Sequence, residues 1–299
     1  MTDTRQPGIP LIFGEVLYDC FLPDGPEVLG GAPFNVAWHL QGFGVQPVLI
    51  SAIGRDSQGD AVLERMRAWG MAVDGIQRRD DYPTGRVQIE MWGKDHRFDI
   101  LPDQAYDHIR PEPALALLAD LQPALLYCGS LGRREPESAA TLERLMSGGL
   151  PLFVDINLRD PWWRKAEVMA LIEKASWLKL NDEEFTTLTG ASATDEQARL
   201  FREQHHCDWL VVTRGAAGAS LVTARQCLAA ATPPVTRLVD TVGAGDAFSA
   251  VVLLGILQGW GAEQILPRAL EFAARICEQR GATAQDPQLY AGLRRAWSL

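Results

Sequence analysis

The chain has 299 residues, 47% of them hydrophobic and 22% charged, enough for one large α/β domain with an appendage or for two domains. A formal charge of −10 and an isoelectric point near 5.0 argue against nucleic acid or an anionic membrane as partner, and no basic run offers either a footing. A phosphorylated ligand would depend on local positive potential from helix N-termini, a few arginines and a metal ion.

Five scattered cysteines, Cys20, Cys128, Cys207, Cys227 and Cys277, form no C-x-x-C pair. This excludes a disulfide framework or zinc knuckle and suggests reduced thiols in a cytosol. Met1–Pro10 lacks the apolar core of a signal peptide, and no apolar run approaches membrane-spanning length. The expectation is a cytoplasmic protein.

In chain order, Ile9–Val16 is an apolar run that predicts a first buried strand. Pro23, Gly25 and Pro26 break Tyr18–Leu29, which should leave the main sheet. Gly30-Gly-Ala-Pro-Phe-Asn35 opens a helix, with Pro33 suited to its first turn. Pro47–Ile53 reads as a second strand, ending at Gly54 and followed by an amphipathic helix to about Trp69. The period then changes to two. Val87, Ile89 and Met91 alternate with Arg86, Gln88 and Glu90, and after a turn at Gly93–His96 the alternation continues through Phe98 and Ile100. That is a hairpin with one wet face, expected to form a small β lid from about residues 17–29 and 84–102 that covers a cleft with its wet face.

From Ala114 a βα rhythm predicts strands at Ala124–Cys128, Leu152–Ile156, Trp177–Leu180, Trp209–Thr213 and Ser220–Thr223, with a further strand-like run at Val235–Val239. Two helices, roughly Ala247–Leu257 and Glu263–Gln279, should close the chain. Apolar strands spaced by helices imply a mostly parallel sheet covered on both faces. With no linker or repeat, residues 1–299 read as a single domain plus the lid.

The chemistry concentrates at Asp240-Thr-Val-Gly-Ala-Gly-Asp-Ala-Phe248. Gly243 and Gly245 sit where the chain must turn, and a helix starting there aims its free N–H groups and positive dipole end at the turn. That is an anion site, and Asp246 stands inside it. A carboxylate there can accept a proton from a hydroxyl that attacks a phosphate; a plain helix cap is the alternative. No P-loop and no dinucleotide G-x-G-x-x-G after the first strand is present, so any nucleotide phosphates must be held at Gly243–Asp246. Asn181 and Glu184, three apart at the start of a helix, share a face and also match a capping box. Asp155, Asn157 and Arg159 leave a strand end where open α/β sheets place ligands. Thr213–Gly218 is a strand and glycine turn. His205-His206-Cys207 could suggest a metal, but no matching ligand pair lies nearby, and the two histidines are expected as solvated helix-end groups.

Gly30-Gly-Ala-Pro-x-Asn35-x-Ala37 with Gly44 and Gly54, together with Asp240-Thr-x-Gly-Ala-Gly-Asp246, resembles the paired motifs of the ribokinase/PfkB carbohydrate-kinase family, over roughly Phe13 to Ala282. The resemblance implies a ribokinase-like three-layer α/β/α sandwich and transfer of the γ-phosphoryl of ATP to a hydroxyl of a small sugar. Asp246 would be the catalytic base, and the N–H groups of Gly243, Ala244 and Gly245 the anion hole. Asp19, Gly31, Asn35 and Arg159 would contact substrate. Asn181, Thr213, Gly215 and Gly218 would lie along the nucleotide, with Glu184 ordering Mg²⁺ through water. K⁺ is a further cofactor in this picture, and the lid edges would pair across a homodimer. Gly14-Glu-Val-Leu-Tyr-Asp19 and Pro83-Thr-Gly-Arg86 look like bacterial fructokinases, which makes D-fructose the expected substrate. Ribose, 2-keto-3-deoxygluconate or nucleoside kinases, and a non-catalytic sensor, are the rival readings. Val251 departs from the Gly or Ala usual in the motif, which puts helix packing rather than chemistry in question.

Overall fold

The apolar central strands and the alternating hairpin go to different sheets, as the computed structural model shows for residues 8–23, 25–92 and 95–299. In chain order the strands are β1 (Ile9–Phe13), β2 (Leu17–Leu22), β3 (Glu27–Gly30), β4 (Val48–Gly54), β5 (Ile76–Arg79), β6 (Gly85–Trp92), β7 (Asp95–Ile100), β8 (Pro123–Gly129), β9 (Leu152–Asp155), β10 (Trp177–Asn181), β11 (Trp209–Thr213), β12 (Ala219–Thr223) and β13 (Cys227–Ala230). The helices are α1 (Ala32–Gly42), α2 (Ser57–Ala68), α3 (Pro111–Asp120), α4 (Pro136–Met146), α5 (Lys165–Ile172), α6 (Asp182–Thr189), α7 (Asp195–His205), α8 (Ala244–Gln258), α9 (Ala262–Ile276) and α10 (Pro287–Trp297).

The main sheet has nine strands in the order β13-β12-β11-β10-β9-β8-β1-β4-β5. It is parallel from β5 to β11 and antiparallel at β12 and β13. Alternate residues of each buried strand point to opposite faces, and each face has its own core. Ile12, Leu49, Tyr127 and Phe153 pack under α1, α8, α9 and α10. Leu11, Phe13, Leu126 and Leu178 pack under α3 to α7. Two helical layers thus cover one sheet. The parallel strands end together at Phe13, Gly129, Asp155, Asn181 and Thr213, which places the loops that follow them on one rim.

The second sheet has the order β3-β2-β6-β7. Pairing sets Asp19 opposite Val87 and Val87 opposite Ile100, so these three share one face. Leu17, Val87, Ile89 and Ile100 on that face form a small core with Tyr106 and Leu131.

Several expectations need correction. Val235–Val239 is not a strand: Pro233 and Pro234 before it lack ladder donors, and Leu238 and Val239 are 65% and 44% exposed. A third closing helix, α10, follows the two foreseen and buries Tyr290, Leu293 and Trp297. The edge strands β5 and β13 lacked an apolar run to announce them. The hairpin turns its apolar face, not its wet face, toward the rim, because Val87 and Ile100 lie beside Asp19, whereas Gln88 and Glu90 point the other way. Residues 93–94 of the expected turn and residues 1–7 lie outside the described residues. His205 is buried, with its Nδ1 2.7 Å from Glu173, rather than solvated.

Candidate active site

Between the rim of the main sheet and the inner face of the second sheet lies a cleft of about 360 Å³. Its lining draws together Asp19, Gly31, Asn35, Arg159, Asn181, Glu184, Gly243, Gly245 and Asp246, residues spread over most of the chain.

The expected anion site falls at the first turn of α8. Gly243 caps this helix with φ 79°, and a Cβ there would stand 2.4 Å from Ala282 Cα, so both backbone and space require glycine. The segment behind it is itself pinned. His39 Nε2 donates to Ala282 O (2.9 Å), Trp38 Nε1 donates to Ala284 O (2.7 Å), and Gly281 N donates to Asp240 Oδ2 (3.0 Å). The other Asp240 oxygen accepts from Val242 N (3.0 Å). Asp240 therefore shapes the turn. The Ala244 N–H donates to Thr241 O (3.3 Å), so it points back into the turn. Val251 is fully buried, and α8 still packs on α1 and α9.

Asp246, in that first turn, accepts a 2.7 Å hydrogen bond at Oδ2 from Asn35 Nδ2. Burial pushes its carboxyl up to about 6, helped by Asp155 and opposed by the Asn35 hydrogen bond, Lys179 and Arg159. Asn35 lies in α1, whose N-terminus is set by Gly31 at φ 106°, a position where a Cβ would meet the Glu15 carbonyl at 2.7 Å. The Asn35 amide is buried, and its Oδ1 has no protein partner. Asp19 Oδ2 and Asn35 Oδ1 flank Gly30, 3.7 and 3.8 Å from where its Cβ would be. Burial also raises the Asp19 carboxyl to about 6, with Arg159 opposing.

Asn181 and Glu184 form the capping box: Asn181 Oδ1 accepts from Glu184 N and Glu184 Oε2 from Asn181 N, both at 2.8 Å. Glu184 does more than cap. It lines the cleft, and its Oε1 accepts from Leu158 N (3.2 Å), which ties the loop after β9 to α6. Thr213 pairs with Asn181 at the end of β11 and with Ala219 across the hairpin. Gly215 and Gly218 form that hairpin's turn, and none of these three lines the cleft.

Two cleft residues with acidic or basic side chains escaped the sequence reading. Glu15 is 2% exposed, lines the cleft and has an Oε2 without partner. Burial, with Asp246 nearby, raises its carboxyl to about 7. Lys179, in the buried strand β10, pairs with Asp155 at 2.8 Å. A lysine flanked by leucines inside a strand (Leu178, Leu180) was a usable signal, since a buried ammonium needs a dedicated anion.

A family model for pfkB family carbohydrate kinases matches residues 23–289. The chain is 26% identical over 293 residues to fructokinase-2 of Oryza sativa subsp. japonica, covering 90% of this chain and 86% of that protein. The fold is similar to that of a fructokinase with bound ATP from Xylella fastidiosa (TM-score 0.83, 22% identity, 97% and 99% of the two chains). It is also similar to a Vibrio cholerae O395 fructokinase double mutant in a fructose-, ADP- and potassium-bound form (TM-score 0.79, 22% identity, 96% and 99%). The ribokinase-like α/β architecture is thereby shown, and the match across most of the sequence settles its kinship. The chain belongs to the pfkB family of carbohydrate kinases and is an ATP-dependent sugar kinase.

Proposed function

We propose that this kinase phosphorylates D-fructose, with Asp246 as general base. The observation that carries the reading is the divided Asn35 amide. Its Nδ2 orients the Asp246 carboxylate, while its unpartnered Oδ1 stands beside Asp19 to accept from sugar hydroxyls. A polyol anchored there presents a further hydroxyl to Asp246. As the γ-phosphoryl leaves ATP, the sugar oxygen forms its bond to phosphorus, the bridging bond to ADP breaks, and the hydroxyl proton passes to Asp246. In a loose transfer the proton need not leave early, so a carboxylate near 6 suffices if well placed. The N–H groups of Gly243 and Gly245, at the positive end of α8, face the developing charge. Arg159 serves the substrate side, and Asn181, Thr213, Gly215 and Gly218 the nucleotide.

Mg²⁺ suits this cleft. Among the described residues no group of three or more His, Cys, Asp or Glu side chains converges to grip a bare ion, whereas Mg²⁺ keeps several waters and leans on substrate phosphates. Glu184 and Asn181 would hold its water shell, and the ion would neutralise phosphate charge. K⁺ is a second cofactor in this reading. We read residues 1–299 as one kinase domain with β2, β3, β6 and β7 as its lid, the lid's edge strands β3 and β7 as the dimer contact, and the cytoplasm as the compartment.

A coupled ATP assay across fructose, ribose, 2-keto-3-deoxygluconate and adenosine tests the proposal. Fructose should give the highest kcat/KM; a higher value for any of the others would remove the fructose assignment.

A further inference from the structure

The cleft has an electrostatic problem that its assigned residues do not solve. Five carboxyl groups line it (Glu15, Asp19, Asp155, Glu184 and Asp246), against two cations, Arg159 and Lys179. A polyanionic phosphoryl donor must enter this field. Arg159 is exposed and sits on a loop, whereas Lys179 is 7% exposed and rooted in the middle of the main sheet.

Lys179 is held in an unusual way. Asp155 Oδ1 accepts from its Nζ (2.8 Å), but Asp155 Oδ2 already accepts from Ser249 Oγ (2.6 Å) and Tyr127 OH (3.2 Å). The carboxylate is therefore fixed from β8, β9 and α8 at once. Ser249 lies one turn along α8 from Gly245, so the same network anchors the anion turn. An ammonium has three N–H donors, and Asp155 takes one. The rest of the group faces the turn, since a Cβ on Gly245 would stand 3.3 Å from Nζ. Burial pushes the Lys179 amine down, but Asp155, Glu184 and Asp246 more than offset this, so it remains charged. A buried ion pair contributes little stability that apolar packing could not supply. Its position against the anion turn calls for another explanation.

We propose that Lys179 is a catalytic residue whose ammonium, locked in place by Asp155, donates to the oxygens of the phosphoryl group during transfer. It gives up no proton. The sugar hydroxyl's proton still goes to Asp246, and the bond to ADP breaks as the bond to the sugar oxygen forms. Lys179 only stabilises charge on the group in flight, beside the Gly245 N–H. The inference rests on the assignment of the Gly243–Asp246 turn as the phosphoryl site.

The rival role is plain neutralisation of Asp155, and a paired substitution separates the two. Lys179→Met alone strands a buried carboxylate. Lys179→Met with Asp155→Asn removes both charges while Asn keeps partners for Ser249 and Tyr127. Loss of one transition-state donor lowers kcat on the order of 10²–10³-fold, so both variants should be slow, with the sugar KM little changed. Neither should trap ADP, aluminium fluoride and sugar as the wild type does, although both still bind ADP. Recovery of wild-type kcat or trapping by the double variant would overturn the proposal. If the single variant fails to fold, the double variant alone decides it. A wild-type protein that cannot be trapped would overturn the phosphoryl-site assignment beneath it as well.

Discussion

The main sheet and the lid sheet share one cleft but differ in construction. The main sheet is buried on both faces, and the glycine turn at its rim is held by Asp240, which accepts from Val242 N and Gly281 N, while His39 and Trp38 pin the segment behind it. The lid has a small core of its own on its cleft face, and Phe98 on that face is 58% exposed while lining the cleft. Asp246, Lys179 and Glu184 stand on the first and Asp19 on the second. The difference suggests a division of labour: the rigid layer fixes the geometry of phosphoryl transfer, and the thinner layer reads the sugar. Asn35, on α1, bridges them through its two amide ends.

The largest effect that would test this division is at Asp246. Asp246→Asn keeps shape and the Asn35 contact but removes the proposed base, and general-base losses run on the order of 10²–10⁴ in rate. In a steady-state assay kcat should collapse while nucleotide binding, followed by titration, survives. In the wild type the carboxyl must be ionised to act, so kcat/KM should climb as pH rises through about 6. A profile flat from pH 5 to 8 would count against it.

Gly243→Ala should come next. The substitution forces φ 79° on a residue with a Cβ, at a cost of about 1–2 kcal/mol, before the clash with Ala282. Turnover should fall with a lowered Tm, and the loss in ATP KM should exceed that in sugar KM. Equal losses in both would mean that the turn does not serve phosphate alone.

A smaller effect sharpens the contrast from the lid side. Closing the lid on sugar would exclude water from the transfer. Amide hydrogen exchange at Val87–Ile89 and Phe98–Ile100 should slow on adding sugar, while β8–β10 change little. Unchanged lid exchange at saturating sugar would sink the lid assignment.

The smallest concerns stability. Burial raises Glu15 from 4.5 to about 7. The folded state therefore holds a proton that the unfolded chain releases, and stability falls as pH rises through that interval. Glu15→Gln should raise Tm at pH 8 and converge on the wild type as pH drops toward 5, as read by calorimetry. A constant difference across that range would argue against a protonated Glu15.

What the sequence disclosed follows the same division. Gly243, Gly245 and Asp246 were legible because the turn must be coded by contiguous residues, and the buried strands because their apolar runs are uninterrupted. Asp19 was legible through its motif. The roles of Lys179 and Glu15 were not, since they depend on Asp155 and Asp246, far away in the chain, although the leucines around Lys179 did mark it as buried. The lid's orientation was misjudged for a related reason. Alternation predicts two faces but not which one meets the cleft, and the register with β2 decides that. Val235–Val239 misled because apolar residues can line a loop beside an anion turn as well as a strand.

The division is tested most directly by measuring kcat/KM for fructose and its deoxy analogues with Asp246→Asn and Asp19→Ala side by side. A site built to hydrogen-bond hydroxyls rejects an analogue lacking one by as much as ~10⁴–10⁵. The account predicts that Asp246→Asn slows every sugar and preserves their ranking, whereas Asp19→Ala narrows the gap between fructose and the deoxy sugars. Loss of ranking in Asp246→Asn, or an undiminished gap in Asp19→Ala, would contradict it.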